Sequence, residues 1–137
     1  MRMIAPTDIE YDDARGLFNQ AIDKRPAVIA KCDHADDIAR ALTHAREKGY
    51  EVAVRAGGHS VSGLSTNDGG LVIDVRPIDS VEVDPVRRSI RVGGGVNWGA
   101  FDAATAEHGL AVTGGRATST GVAGYTLGGG DGWLSRA

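Results

Sequence analysis

The chain has little of what marks several large classes of protein. The chain has a single cysteine, Cys32, which has no partner for an internal disulfide, so we expect a reducing, cytoplasmic setting and a buried thiol. No apolar run approaches the roughly 20 residues that cross a bilayer. The net charge of −3 offers no basic surface for nucleic acid or an anionic membrane. Residues 1–8 lack the apolar core of a signal peptide. The four histidines have no metal-like spacing, which predicts no metal site.

Glycine, by contrast, is abundant and unevenly placed. The chain has 20 glycines among 137 residues, about twice the average share, and 13 of them lie between Gly93 and Gly132. Glycine raises the entropic cost of ordering a chain. Such local density without a collagen-like period therefore indicates that the backbone approaches a ligand closely.

Apolar spacing and turn residues predict an α+β fold of two small sheets with helices outside them. A β-α-β unit comes first, with a helix between an Asp33 cap and a Gly49 stop, and a hairpin comes later. Asn97 is expected to cap a further helix that ends at Gly109. The predicted helices are 11–21, 33–48 and 97–108, and the predicted strands are 27–30, 50–54, 71–75, 80–84, 89–92 and 110–112.

The loop that follows the 50–54 strand has the composition of a binding site. Paired glycines allow positive φ and close approach of a ligand to the main chain, and turned N–H groups suit phosphate. Arg55 is expected to add a fixed positive charge, and His59 places a nucleophilic imidazole at the mouth of the loop. The candidate binding residues here are Arg55, Ala56, Gly57, Gly58, His59 and Ser60.

A second glycine-rich tract runs from Gly114 to Trp133. Small residues recur in it every three or four positions, which allows a helix or loop to lie flat against a planar ligand or another backbone. The candidate binding residues are Gly114, Gly115, Thr118, Gly121, Gly124, Tyr125 and Gly128. Tyr125 is open to two interpretations, packing on the ligand or filling a helix–sheet interface.

Three blocks together resemble one known family: 55–60, 92–95 and 114–136. The chain is similar to the N-terminal FAD-binding domain of the berberine bridge enzyme-like oxidoreductases, a PCMH-type domain of the vanillyl-alcohol oxidase superfamily. The resemblance implies two small α/β subdomains with FAD between them. It also implies that the 55–60 loop holds the FAD pyrophosphate, that 114–128 lies along the ribityl chain and ring, and that His59 is joined to the 8α-methyl of the flavin.

One departure from the family pattern bears on the link to FAD. Some members attach the flavin a second time, through a cysteine in the second tract, where this chain has Ala117. We therefore expect a single covalent link, through His59. Residues 1–24 are expected to be a helical lead-in and 25–137 an incomplete FAD-binding domain. The family's substrate-binding part and catalytic base lie in a C-terminal half that this sequence does not contain, so no catalytic residue is assigned.

Three hypotheses follow. The first is the FAD-binding part of an oxidase or dehydrogenase that moves hydride from a small substrate, such as a sugar or alcohol, to FAD, with reoxidation by oxygen. The second is a truncated, catalytically silent FAD-binding fragment. The third is a module that binds another phosphate-bearing nucleotide without flavin. Flavin absorbance separates the third from the others, and substrate-dependent bleaching separates the first from the second.

Overall fold

The computed structural model describes residues 1–136, which form two β-sheets and four helices. The larger sheet contains β1 (Arg2–Ile4), β2 (Val28–Lys31), β3 (Val52–Arg55) and β4 (Leu71–Asp74) in the order β1-β2-β4-β3. β2 and β3 both run parallel to β4, and β1 is antiparallel to β2 at one edge. The α+β prediction is therefore confirmed.

The predicted β-α-β unit is present, with one strand inserted. Helix α2 (Ala35–Lys48) joins β2 to β3 and ends at Gly49, whose φ of 67° suits glycine. β4 lies between the two strands, and all four of its residues are buried. The register brings Lys31, Arg55 and Asp74 to the same carboxyl edge of the sheet. Open α/β sheets commonly bind ligands at that edge.

Apolar side chains cover both faces of the larger sheet. One cluster packs α2 against the sheet through Ala41, Ala45 and Ile73, and Cys32 lies fully buried within it. The opposite cluster packs Tyr11 and Ala14 of helix α1 (Tyr11–Arg15) against the sheet. The sheet is therefore the centre of this half of the molecule.

The smaller sheet is the predicted hairpin, β5 (Val81–Asp84) and β6 (Ser89–Val92). Helix α3 (Trp98–Ala106) packs beside it, and helix α4 (Val122–Gly128) follows in the second glycine tract. Val96, Trp98, Phe101 and Val122 form the buried core of this half. Within residues 1–136, no helix is both long and apolar enough to cross a membrane.

Three local predictions were wrong, and one strand was not predicted. The first helix stops at Arg15 rather than continuing to residue 21. Residues 110–112 form no strand, and the lead-in contains an unpredicted strand, β1, which extends the sheet. Asp33 is not the α2 cap; its position is taken by His34, and the Asp33 N–H instead donates to the Asp37 carboxylate.

The early end of α1 has a partner that is distant in sequence. The guanidinium of Arg55 donates to the main-chain carbonyls of Ala14 and Gly16. In a continued helix, the Ala14 carbonyl would accept from the N–H of Phe18, four residues later. The helix instead ends at Gly16, which has ψ of 134°, and Arg55 supplies donors to carbonyls that the ended helix leaves without N–H partners.

Candidate functional site

The loop after β3 turns at the carboxyl edge of the larger sheet. Gly58 and Gly63 have φ of 71° and 75°, a backbone conformation that other residues rarely adopt. The Ser60 hydroxyl accepts from the N–H of Leu64 at 3.1 Å, which closes the turn. Ser60 thus shapes the loop from within.

The Arg55 side chain lies beneath this loop. It is 7% exposed, and its two terminal nitrogens donate to the carbonyls of Ala14 and Gly16. Burial, with the nearby charge of Arg76, lowers the pKa of Arg55 to about 10, so the side chain is still charged at neutral pH. The charge that the sequence assigned to phosphate is instead committed to the backbone of the lead-in.

The two glycine tracts meet through their main chains. A Cβ on Gly57 would lie 2.2 Å from the Gly121 nitrogen, and a Cβ on Gly121 would lie 2.5 Å from the Gly57 nitrogen. Any side chain at either position would separate the tracts. The structure therefore brings together the two segments that the sequence singled out.

The second tract is also tied to the start of α3. The N–H of Trp98 donates to the Thr120 carbonyl at 3.0 Å, and the N–H of Gly99 donates to the Thr118 carbonyl at 2.9 Å. Thr118 packs against Gly99, where a Cβ would lie 3.1 Å from that of Thr118. Residues 118–120 are consequently fixed between the His59 loop and α3.

His59 lies where the two tracts meet, and three side chains contact it. Its Nε2 is 3.0 Å from the Ser119 hydroxyl, and its Nδ1 is 3.5 Å from the Thr120 hydroxyl. The Phe18 ring stacks on the imidazole with centroids 4.0 Å apart and planes 18° apart. The imidazole is half-buried, so part of its surface remains exposed.

A crevice of about 280 Å³ opens beside this junction, between the two sheets. Helix α3 begins at it: the Asn97 side chain accepts from the Ala100 N–H at 3.0 Å, and both residues line the opening. The N-terminus of a helix favours anions. The other lining residues are Ala56, Gly57, Arg76, Asp79, Gly95, Val96 and Ser119.

Arg76 is the cationic side chain at this crevice. Its guanidinium donates to both carboxylate oxygens of Asp74, a fully buried residue, at 2.6 to 3.1 Å. These bonds raise the pKa of Arg76. Asp79 contributes one carboxylate to the same opening. The donors that a pyrophosphate would meet here are the Ser119 hydroxyl, the Asn97 amide and the N–H groups of Arg76 that Asp74 does not bind, with the Asp79 carboxylate opposing them.

Other predicted residues lie away from this crevice. Gly114 and Gly115 pack against the Trp98 ring and line a separate groove of about 260 Å³. Tyr125 contacts Trp98 edge-on with centroids 5.1 Å apart, a packing contact of the kind that the interface interpretation predicts. Around Gly124 and Gly128, no atom of residues 1–136 apart from the chain neighbours and the backbone of their own helix comes within 4 Å of where a Cβ would be.

Sequence reasoning missed four residues of the site: Phe18, Arg76, Asn97 and Ser119. Arg76 follows β4 at the edge where β3 also ends, a signal that the parallel-strand pattern contained. Asn97 was predicted only as a cap. Phe18 was hidden because it was assigned to the face of a continuous helix. In the described part of the chain, no group of three metal-ligating side chains comes together.

The fold and the site together define an FAD-binding domain of the PCMH type: two sheets flank a glycine-lined crevice, and one of its lining residues, Ser119, contacts His59. The chain belongs to the FAD binding domain family, whose model matches residues 26–137.

Individual relatives are similar over nearly the whole chain. (R)-6-hydroxynicotine oxidase of Paenarthrobacter nicotinovorans is 37% identical over 133 residues, which cover 97% of this chain and 29% of that protein. The structure of 6-hydroxy-D-nicotine oxidase from Arthrobacter nicotinovorans matches with a TM-score of 0.95 and 36% identity, covering 98% of this chain and 30% of that one. BBE-like 1 from Physcomitrella patens matches with a TM-score of 0.91 and 28% identity, covering 98% of this chain and 30% of that one. The chain thus spans about 30% of the length of these relatives.

Proposed function

We propose that this chain is the FAD-holding part of a flavin-dependent oxidoreductase, with FAD in the crevice between the two sheets. The observation that carries the proposal is the junction of the His59 loop with the second tract, where Gly57 meets Gly121 beside the crevice. Membership of the FAD binding domain family supports it and disfavours a nucleotide module without flavin.

The chain's own groups would hold the pyrophosphate of the cofactor. Gly57 and Gly95 allow backbone approach, the α3 N-terminus supplies a positive dipole end, and Ser119 and Arg76 add donors. This assignment gives Arg76 the cationic role that the sequence gave to Arg55. The glycines of the second tract would support the rest of the cofactor, as the resemblance implies, and Tyr125 would contribute through the face of its ring that Trp98 leaves free.

His59 is the proposed covalent anchor. The bond would join an imidazole nitrogen to the 8α-carbon, replacing one C–H and the imidazole N–H by a C–N bond. Two protons and two electrons leave in that step, and oxygen is their final acceptor. The second family position holds Ala117, which has no nucleophile, so we propose one link only.

When bound, FAD supplies hydride acceptance from a small organic substrate, with oxygen as the proposed reoxidant. Substrate binding and proton removal would need residues outside the 30% of the relatives' length that this chain spans. Relatives named as oxidases of 6-hydroxynicotine and of xylooligosaccharide support a small-molecule substrate. We propose a cytoplasmic location on the basis of the single buried thiol, and no nucleic-acid or membrane partner.

The test is to incubate the chain with FAD, precipitate it with acid and follow flavin absorbance and in-gel fluorescence. We expect flavin to remain with the wild-type protein and to be released from His59→Ala. His108→Ala, an exposed position, is the matched control and should retain the flavin. Free release from the wild type would contradict the covalent link, and failure to bind FAD at all would contradict the function.

A further inference from the structure

An exposed aromatic ring covers one face of His59. Phe18 is 68% exposed and so contributes little to the core, yet its ring stacks on the imidazole at 4.0 Å and 18°. Aromatic pairs in such geometry gain more than their buried area alone provides. The stack fixes the plane of the imidazole without burying it.

The placement of Phe18 depends on Arg55. The guanidinium bonds to the Ala14 and Gly16 carbonyls hold the backbone immediately before Leu17. Leu17 is itself buried, and one of its methyl groups would lie 3.4 Å from a Cβ on Gly58. The next residue, Phe18, is thereby held against the loop that contains His59.

The two ring nitrogens of His59 have unequal partners. The 3.0 Å contact of Nε2 with the Ser119 hydroxyl has the ordinary length of an N–H···O hydrogen bond. The 3.5 Å contact of Nδ1 with the Thr120 hydroxyl is at the outer limit. In a neutral imidazole one nitrogen carries the proton and the other the lone pair, and a serine hydroxyl can accept from the first or donate to the second. The 3.0 Å contact therefore identifies Nε2 as the nitrogen that Ser119 engages in either tautomer.

We propose that Phe18 and Ser119 are positioning residues: Phe18 holds the plane of the His59 imidazole, and the Ser119 hydroxyl acts as the acceptor at Nε2, which places the proton on Nε2 and leaves the lone pair on Nδ1. Its consequence for attachment rests on the function proposed above: Nδ1 alone would form the bond to the flavin 8α-carbon. The bond replaces a C–H bond, the Nε2 proton is released, and the two electrons end on oxygen.

The first test needs no cofactor. Nitrogen-15 NMR of His59 in the chain without FAD reports the proton on each ring nitrogen. We expect the wild type to show a protonated Nε2 and Ser119→Ala to show a mixture of tautomers. Ser119→Thr keeps the hydroxyl and should restore the wild-type pattern, and Ser80→Ala, an exposed serine, is the matched control. Equal tautomer populations in wild type and Ser119→Ala would overturn the inference.

The second test follows covalent FAD with time, and the modified peptide by mass spectrometry and NMR. We expect attachment to be about three- to tenfold slower in Phe18→Ala, from the size of aromatic pairing effects. Phe18→Tyr keeps the stack and should restore the rate. Ile9→Ala, at an apolar side chain that is fully exposed, should leave the rate unchanged. In Ser119→Ala, we expect a linkage through Nε2 to appear beside that through Nδ1.

The two proposals fail in different ways. A wild-type chain with an ordered tautomer but no retained FAD would contradict the proposed function and leave the positioning of His59 intact. Covalent FAD formed at equal rates and through the same nitrogen in all variants would overturn the positioning roles and leave the function intact. Because Phe18 and Ser119 are exposed, unfolding of these variants is not expected to obscure either result.

Discussion

Gly57 and Gly121 touch through main-chain atoms, so the absence of side chains at these two positions is a packing requirement. Gly57 has no positive φ in this structure, and conformational freedom therefore does not explain it. What requires glycine is the 2.2 Å distance between a Cβ there and the Gly121 nitrogen. Backbone atoms cannot move aside as the end of a flexible side chain can.

The matched pair Gly57→Ala and Gly124→Ala tests this reading in the chain without FAD. We expect Gly57→Ala to lower the free energy of unfolding by about 2 kcal/mol or more because it separates the tracts. Gly124→Ala adds a methyl group to open space on a helix and should raise it by about 0.5–1 kcal/mol. Urea unfolding measures both, and equal effects would show that the contact is unimportant.

Arg55 is expected to matter for stability more than for phosphate binding. Arg55→Met leaves the Ala14 and Gly16 carbonyls without their donors, and we expect a loss of about 2–4 kcal/mol in the free energy of unfolding. Arg87→Met, at a side chain 84% exposed, removes the same charge and should change little. Similar midpoints of urea unfolding for the two variants would contradict this role.

The Cys32 thiol makes the free energy of unfolding depend on pH in the alkaline range. Burial, with the nearby carboxylates of Asp37 and Asp74, raises the pKa of the thiol from 9.0 to about 11. As the pH rises, the thiol of the unfolded chain loses its proton before that of the folded chain. The contribution of the protonated thiol to the free energy of unfolding is therefore complete below pH 9 and is lost as the pH rises towards 11. The loss would reach about 2–3 kcal/mol.

The variant Cys32→Val isolates that contribution, because it keeps the apolar volume and does not titrate. We expect its free energy of unfolding to fall less steeply than that of the wild type between pH 9 and 11. Other titrating groups affect both proteins equally and cancel in the difference. Parallel curves would show that the thiol is not coupled to folding.

Among the elements, those specified by local sequence were predictable. Gly49 ends α2 and the hairpin of β5 and β6 lies where alternation and the Asp84 turn put it. The elements that were predicted wrongly have distant partners: Arg55 binds the carbonyls at the end of α1, and β1 pairs with the edge of β2. No pattern inside residues 1–24 contains that information.

Asn97 links the start of α3 to the crevice, and substitutions can separate its two roles. Asn97→Ala loses the bond to the Ala100 N–H and should cost about 1 kcal/mol in the free energy of unfolding. Asn97→Asp keeps a capping oxygen and should preserve stability, but it adds a negative charge to the crevice. We therefore expect it to weaken FAD binding, measured by flavin fluorescence titration. Unchanged affinity would place the pyrophosphate elsewhere.

At the scale of the whole molecule, two halves with separate cores meet at the crevice, and a ligand bound there would stabilise both. In His59→Ala, where binding is reversible, FAD at a hundredfold excess over its dissociation constant should add about 2.7 kcal/mol to the free energy of unfolding. ADP, which shares the pyrophosphate, should compete with FAD and also raise the melting temperature. No shift with either ligand would contradict binding between the halves.

The sequence identified the segments of the candidate site better than the contacts around them. His59 and the two glycine tracts could be found because each is a compact local pattern. The contacts that orient His59 could not, because Phe18 and Ser119 come from segments that only the folded chain brings together. Arg55 shows the opposite error: a local pattern suggested a ligand contact where tertiary packing had another use for the charge.

The hydrogen bond between His59 and Ser119 joins residues 60 positions apart, and this separation has a consequence for the order of events as the protein forms. Contacts so distant in sequence form late, because a long loop must close before they become favourable. A chain still emerging from the ribosome, or one that has misfolded, has no oriented imidazole to offer. Retained flavin colour would then act as a marker of completed folding, and its yield would measure how many molecules reached the native state.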